Sequence, residues 1–288
     1  MYLHRSYQLW RRLARAQALE VHFDLGLRAF EEKQLDRLKQ NRTAIALLPE
    51  GGMGALEYLA LTWRLAWLEE RHEDALETAR AIVKLYPEDP DGVLELAQIL
   101  ADMGRAHEAL DVLNEGVLAQ PDDPDLWYEM GLAAERLGKD AVRIKACREV
   151  WRIEHERPPE RRPGLTGVSD ELFVKTVEEA IQKLPPMARR ALANVAILVE
   201  DYPEEWIVAD DVADPRILGL FDGPPLPVEN SVSAVIEGPA RIYLFRWNIE
   251  RTCHSLEDAI DQIEITVLHE IGHYLGLDED ALDFRGLS

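Results

Sequence analysis

The chain has 288 residues, 47% of them hydrophobic and 30% charged, with a formal net charge of −22. That length buries a full core and predicts two domains. No apolar run approaches the roughly 18 to 20 residues of a membrane span, and the stretch from Met1 to Arg12 lacks the apolar region of a signal peptide, so a soluble, cytoplasmic protein is expected.

Two cysteines, Cys147 and Cys253, lie far apart in sequence, which argues against a disulfide framework and fits a reducing compartment. Cys253 precedes His254, but one such pair without further spaced ligands reads as packing rather than metal binding. The charge is uneven. From Ser169 onward there are 9 Lys+Arg against 24 Asp+Glu, a net of −15, leaving 23 against 30, or −7, for Met1 to Val168. So acidic a second half repels phosphate backbones and argues against nucleic acid as a partner.

Residues 7–49 read as helical, with Leu25, Leu27, Phe30, Leu35, Leu38, Ile45 and Leu48 as the apolar positions and a break at Gly51-Gly52. A repeat follows. Tyr86-Pro87-Glu88-Asp89-Pro90-Asp91 recurs as Gln120-Pro121-Asp122-Asp123-Pro124-Asp125, a period of 121 − 87 = 34 residues, and Ala75/Ala109, Ala97/Gly131 and Gly104/Gly138 keep the same step. Each unit reads as two helices, the first over 57–69, 91–103 and 125–137, the second over 73–85, 107–119 and 141–153. Leu96, Leu100, Leu110, Leu113, Trp127 and Met130 supply the apolar faces, while Ala97, Ala109 and Gly131 let helices approach. Pro87 and Pro121 close one unit, and Asp-Pro starts the next.

These positions resemble the tetratricopeptide (TPR) family, with Trp127, Gly131 and Pro121 at its characteristic places. The resemblance implies an all-α helical solenoid over residues 1–156, clear from about 56 to 156, that binds a protein partner or peptide on its concave surface. Arg143 departs from the family's small residue, as a capping unit would. Residues 157–168, rich in proline and arginine, are expected to be an extended linker.

Beyond the linker, 170–184 has helical spacing, Pro185-Pro186 interrupts it, and a second short helix precedes a strand over 195–199. Residues 223–227 mark a loop. Residues 241–245 form a second strand, expected to be an exposed sheet edge on which a peptide could pair, and a helix spans about 256–275.

That helix carries His269-Glu270-Ile271-Gly272-His273. Positions i and i+4 share a helix face, one turn apart, so both imidazoles can reach one tetrahedral Zn2+. Glu270, beside them, can take a proton from an attacking water and deliver it to a leaving amine. Gly276, three residues on, can take the left-handed conformation that stops a helix and returns the chain to the metal. The count His269-x3-His273-x2-Gly276-x2-Glu279 places a carboxylate as third ligand, Glu279, with Asp278 as the alternative and Asp280 and Asp283 close by. Tyr243 or Tyr274 could hydrogen-bond an oxyanion, Tyr243 being the candidate substrate contact.

Residues 169–288 resemble the small bacterial zincin-like metallopeptidase family. The matching stretches are 194–201, 218–223, 241–245 and 267–280. The resemblance implies an α+β minimal metallopeptidase domain with His269, Glu270 and His273 in the family's motif positions. The resulting expectation is a zinc-dependent peptidase whose repeats recruit a protein substrate or partner. The alternative is a TPR adaptor with a latent or silent zincin domain.

Overall fold

The computed structural model describes residues 2–48, 54–156, 168–209, 214–226 and 240–283, with side chains from residue 16 on and those of 209, 279 and 283 excepted. The Gly51-Gly52 break, residues 157–167 of the expected linker, and residue 227 of the expected loop lie outside the described residues. By backbone contact the chain divides into two compact units, Met1–Glu149 and Val150–Ser288.

The first unit is helical throughout: α1 (Tyr2–Glu31), α2 (Leu35–Ala46), α3 (Ala55–Leu68), α4 (His72–Leu85), α5 (Pro90–Asp102), α6 (Ala106–Ala119), α7 (Pro124–Arg136) and the start of α8 (Asp140–Glu156). Successive helices from α1 to α7 pack on one another. The predicted repeat helices fall within three residues of these bounds because their punctuation is local. Pro90 and Pro124 open α5 and α7, and Asp123 Oδ1 accepts from the Asp125 and Leu126 N–H groups at 2.9 and 3.0 Å. The Trp127 indole donates to the Pro121 carbonyl at 2.9 Å, which links two positions of the repeat signature directly.

Leu96, Leu100, Leu110, Leu113, Trp127 and Met130 are all buried, as are Ala97 and Ala109, and a methyl on Gly131 would touch Ala146 Cβ at 3.4 Å. Upstream, Ala29, Leu38, Ile45, Leu61 and Leu65 form a core with Leu27, Phe30 and Leu35 against it. Leu25 departs from expectation. It is 46% exposed.

The second unit begins inside α8. Val150 and Ile153 are buried, and the Trp151 indole donates to the Pro203 carbonyl at 2.9 Å. The remaining elements are α9 (Asp170–Lys183), α10 (Pro186–Ala191), a 3-10 turn (Leu192–Asn194), β1 (Ala196–Glu200), α11 (Glu205–Ala209), β2 (Gly219–Asp222), β3 (Arg241–Phe245), α12 (Arg246–Thr252), α13 (Leu256–Tyr274) and α14 (Glu279–Asp283).

The sheet has the order β1-β3-β2, with β1 parallel and β2 antiparallel to β3. The expectation that β3 is an exposed edge is therefore corrected: it is the central strand. Ile242, Leu244 and Phe245 are fully buried and Tyr243 nearly so, because a strand apolar on both faces needs cover on both. Ile242 and Leu244 face Ile263, Val267 and Ile271 of α13 and Phe173, Val177 and Ala180 of α9. Tyr243 and Phe245 face the other way, into a smaller cluster with Ile207.

Candidate metal centre

Helix α13 is bounded by strong local signals. Ser255 Oγ accepts from the Asp258 N–H at 3.1 Å, and Glu257 and Asp258 lie in the first turn, where the helix dipole favours acids. At the other end Gly276 has φ +83°, the Leu277 N–H donates to the Gly272 carbonyl at 3.0 Å, and the Gly276 N–H donates to that of His273 at 3.0 Å. This is the Schellman pattern, and it ends the helix at Tyr274, one residue after His273, as the glycine predicts.

The chain then folds back. Leu282 of α14 is fully buried against α13, and a Cβ on Gly272 would collide with it, so the glycine between Glu270 and His273 makes room for the returning segment. Glu279 is the first residue of α14, and its side chain lies outside the described residues. Asp278 Oδ1 accepts from the Ala281 N–H at 2.9 Å and caps α14.

The two imidazoles converge. Their Nε2 atoms are 2.9 Å apart, with ring centroids at 4.6 Å and planes at 79°. Two vertices of a tetrahedral zinc with bonds of ~2.05 Å are about 3.3 Å apart, so a small outward rotation of the rings would admit the ion. Neutral imidazole nitrogens at that spacing suit zinc chemically. Among the described residues no group of three or more His, Cys, Asp or Glu is arranged to hold a metal.

Glu270 is 7% exposed, one residue past His269. Gly219, the first residue of β2, lies against it. A Cβ there would be 2.8 Å from Glu270 Cγ, 2.9 Å from Oε1 and 3.0 Å from Thr266 Cγ2. Beside them a cavity of about 240 Å3 is lined by Ile217, Leu218 and Gly219 on one side and by Gln262, Ile265, Thr266, His269 and Glu270 on the other. Thr266 hydroxyl is turned back to the Gln262 carbonyl at 2.7 Å, leaving its methyl to the wall.

His269, Glu270 and His273 are thus together, while two other sequence candidates are not with them. Tyr243 sits on the sheet face opposite α13, with its hydroxyl 3.5 Å from Arg241 Nη1. The Tyr274 hydroxyl donates to the Ala191 carbonyl at 3.0 Å. Sequence reasoning missed Gly219 and its strand. The available signal was a glycine inside the short apolar run 217–221, which marks close backbone approach.

Residues 192–287 match the family model described as zincin-like metallopeptidase, and residues 66–134 match a tetratricopeptide repeat model. No curated protein matches the chain significantly. Solved structures similar to it include MamA from Desulfovibrio magneticus RS-1, at 15% identity over 56% of this chain and 85% of that one, with a TM-score of 0.36. TPR-like repeats of a kinesin light chain from Podosopora anserina match at 17% identity over 56% and 83%, with a TM-score of 0.38. A thermophilic TPR protein of Thermus thermophilus matches at 16% over 60% and 95%, with a TM-score of 0.36.

Proposed function

We propose that this chain, zincin-like at its C-terminal end and built of tetratricopeptide repeats before it, is a zinc-dependent peptidase whose repeats recruit a protein substrate or partner. The observation that carries the reading is the convergence of the His269 and His273 Nε2 atoms, 2.9 Å apart, with buried Glu270 beside them at the mouth of a cavity. His269, His273 and Glu279 would hold the ion. Zinc, when bound, supplies Lewis acidity that polarises a carbonyl and acidifies water.

The chain's own groups do the rest. Glu270 accepts a proton from the attacking water and passes it to the leaving amine, which places its carboxylate at both steps. The cavity, walled by Ile217, Leu218 and Ile265, takes an apolar side chain flanking the cut bond. Backbone pairing comes from β2 rather than β3. The Phe245 N–H donates to the Leu218 carbonyl at 2.8 Å, so residues 218, 220 and 222 turn their polar groups towards β3. Gly219 and Phe221 alternate with them and present N–H and C=O on the side where, among the described residues, no strand pairs. An extended peptide added there lies beside Glu270.

No helix among the described residues is long and apolar enough to cross a membrane, and the buried Cys253 thiol donates to the Ile249 carbonyl at 3.1 Å, which accords with a cytoplasmic setting. The test is zinc content by elemental analysis, with peptide hydrolysis, in wild type, Glu270→Gln and His273→Ala. The reading expects about one zinc per chain in the first two, zinc loss in the third, and hydrolysis in wild type alone. Stoichiometric zinc without hydrolysis in any sample would instead make the chain an adaptor with a silent zincin unit.

A further inference from the structure

Among the described residues, the most deeply buried acid of the second unit stands outside the metal centre. Glu154, in the last turn of α8, is 2% exposed. Its Oε1 accepts from Arg216 Nη2 at 2.7 Å and Nε at 3.1 Å and pairs with Arg251 Nη2 at 2.8 Å, while its Oε2 accepts from the Tyr202 hydroxyl at 3.0 Å. Burying a carboxylate with two guanidinium groups is costly because each charge gives up its hydration, and only close pairing and hydrogen bonds offset that cost. The geometry has a destination. Arg216 immediately precedes Ile217, Leu218 and Gly219, which form one wall of the cavity and the backbone against Glu270.

That approach segment has no regular structure of its own, and other groups hold it from outside. Asn248, 1% exposed, donates through Nδ2 to the Pro215 carbonyl at 3.0 Å and the Ile217 carbonyl at 2.8 Å. The Phe245 N–H holds the Leu218 carbonyl. Glu154 supplies the charged anchor in this series, gripping the side chain at position 216.

We propose that Glu154 is a positioning residue of the site: through Arg216 it fixes the 214–218 segment, so that Gly219 meets Glu270 and the cavity wall closes. The residue lies upstream of residues 192–287, so the working unit is longer at its N-terminal side than the zincin-like match. The proposal rests on the peptidase reading for its kinetic arm alone.

The experiment is hydrogen exchange by mass spectrometry on the full chain, comparing wild type with Glu154→Gln, Arg216→Gln and Arg251→Gln, with zinc content and peptide-hydrolysis kinetics on the same samples. Glu154→Gln and Arg216→Gln are expected to speed exchange in the peptide covering 214–222 roughly tenfold while α13 and β3 keep wild-type protection. Arg251→Gln, which touches the same carboxylate but not the segment, leaves 214–222 as in wild type. Zinc content stays at the wild-type value, and kcat/KM falls about tenfold in the first two variants. Equal exchange in 214–222, or faster exchange spread evenly over α13 and β3 in all three variants, would overturn the proposal. A wild type without hydrolysis defeats the peptidase reading, and the exchange pattern still decides the role of Glu154.

Discussion

Replacing Gly219 with alanine tests the site with the smallest change available, one methyl group. The added carbon would stand 2.8 Å from Glu270 Cγ, 2.9 Å from its Oε1 and 3.0 Å from Thr266 Cγ2. Carbon atoms rest at about 3.5–4.0 Å, so β2 or the Glu270 side chain has to move by roughly 0.5–1 Å. The carboxylate tip can swing, but Cγ is tied to the helix, and Thr266, 4% exposed, has little room to retreat. Overpacking of this kind costs about 1–3 kcal/mol of stability, and a ~1 Å misplacement of a reacting group costs on the order of 10²-fold in rate. The expected result is a thermal midpoint lowered by several degrees, kcat/KM down roughly 10²-fold, and zinc content unchanged, since the contacts are with Glu270 and Thr266 rather than with either histidine. Adding Thr266→Ala removes one of the three contacts and should return part of the loss. Gly219→Ala with wild-type kinetics and thermal midpoint would refute the close approach of β2 to Glu270.

Two further outcomes follow from the same geometry. Gly276→Ala forces a side chain into φ +83°, a conformation that costs about 1–2 kcal/mol for alanine; the turn that brings α14 back is then disfavoured, and zinc titration should give an affinity several-fold weaker, whereas unchanged affinity would separate that turn from the ligand set. Burial first, and then the charge of Glu154, push the Tyr202 hydroxyl above its ordinary value near 10. The folded state therefore favours the protonated phenol, so this contribution to stability is complete below about pH 10 and is lost as pH rises beyond it. In a spectrophotometric titration of the eight tyrosines, one phenolate should appear late and vanish in Tyr202→Phe, and simultaneous titration of all in the folded protein would count against it.

Local chemistry made much of this protein legible from its residues. Helix starts at Asp89-Pro90 and Asp123-Pro124, the 34-residue step, the i, i+4 histidines and the stop at Gly276 depend on neighbours within a turn or two, and near-neighbour geometry is nearly invariant along a chain. The same reasoning set α13 to within one residue at its far end. It failed where the outcome depends on which segments meet. Strand order put β3 in the middle, hydrogen-bonded along both edges, and β2 at the rim, an outcome that no spacing rule ranks among candidate strands. It also turned Tyr243 away from α13, since alternate residues of a strand face opposite sides and Ile242 and Leu244 took the side of the larger core. Gly219 looks like any turn-former until a carboxylate 51 residues away lies against it. The donors and their order along α13 are written in the residues themselves. The wall they work against and the buried acid that holds it come from contacts between residues far apart in the chain, which have no local signature.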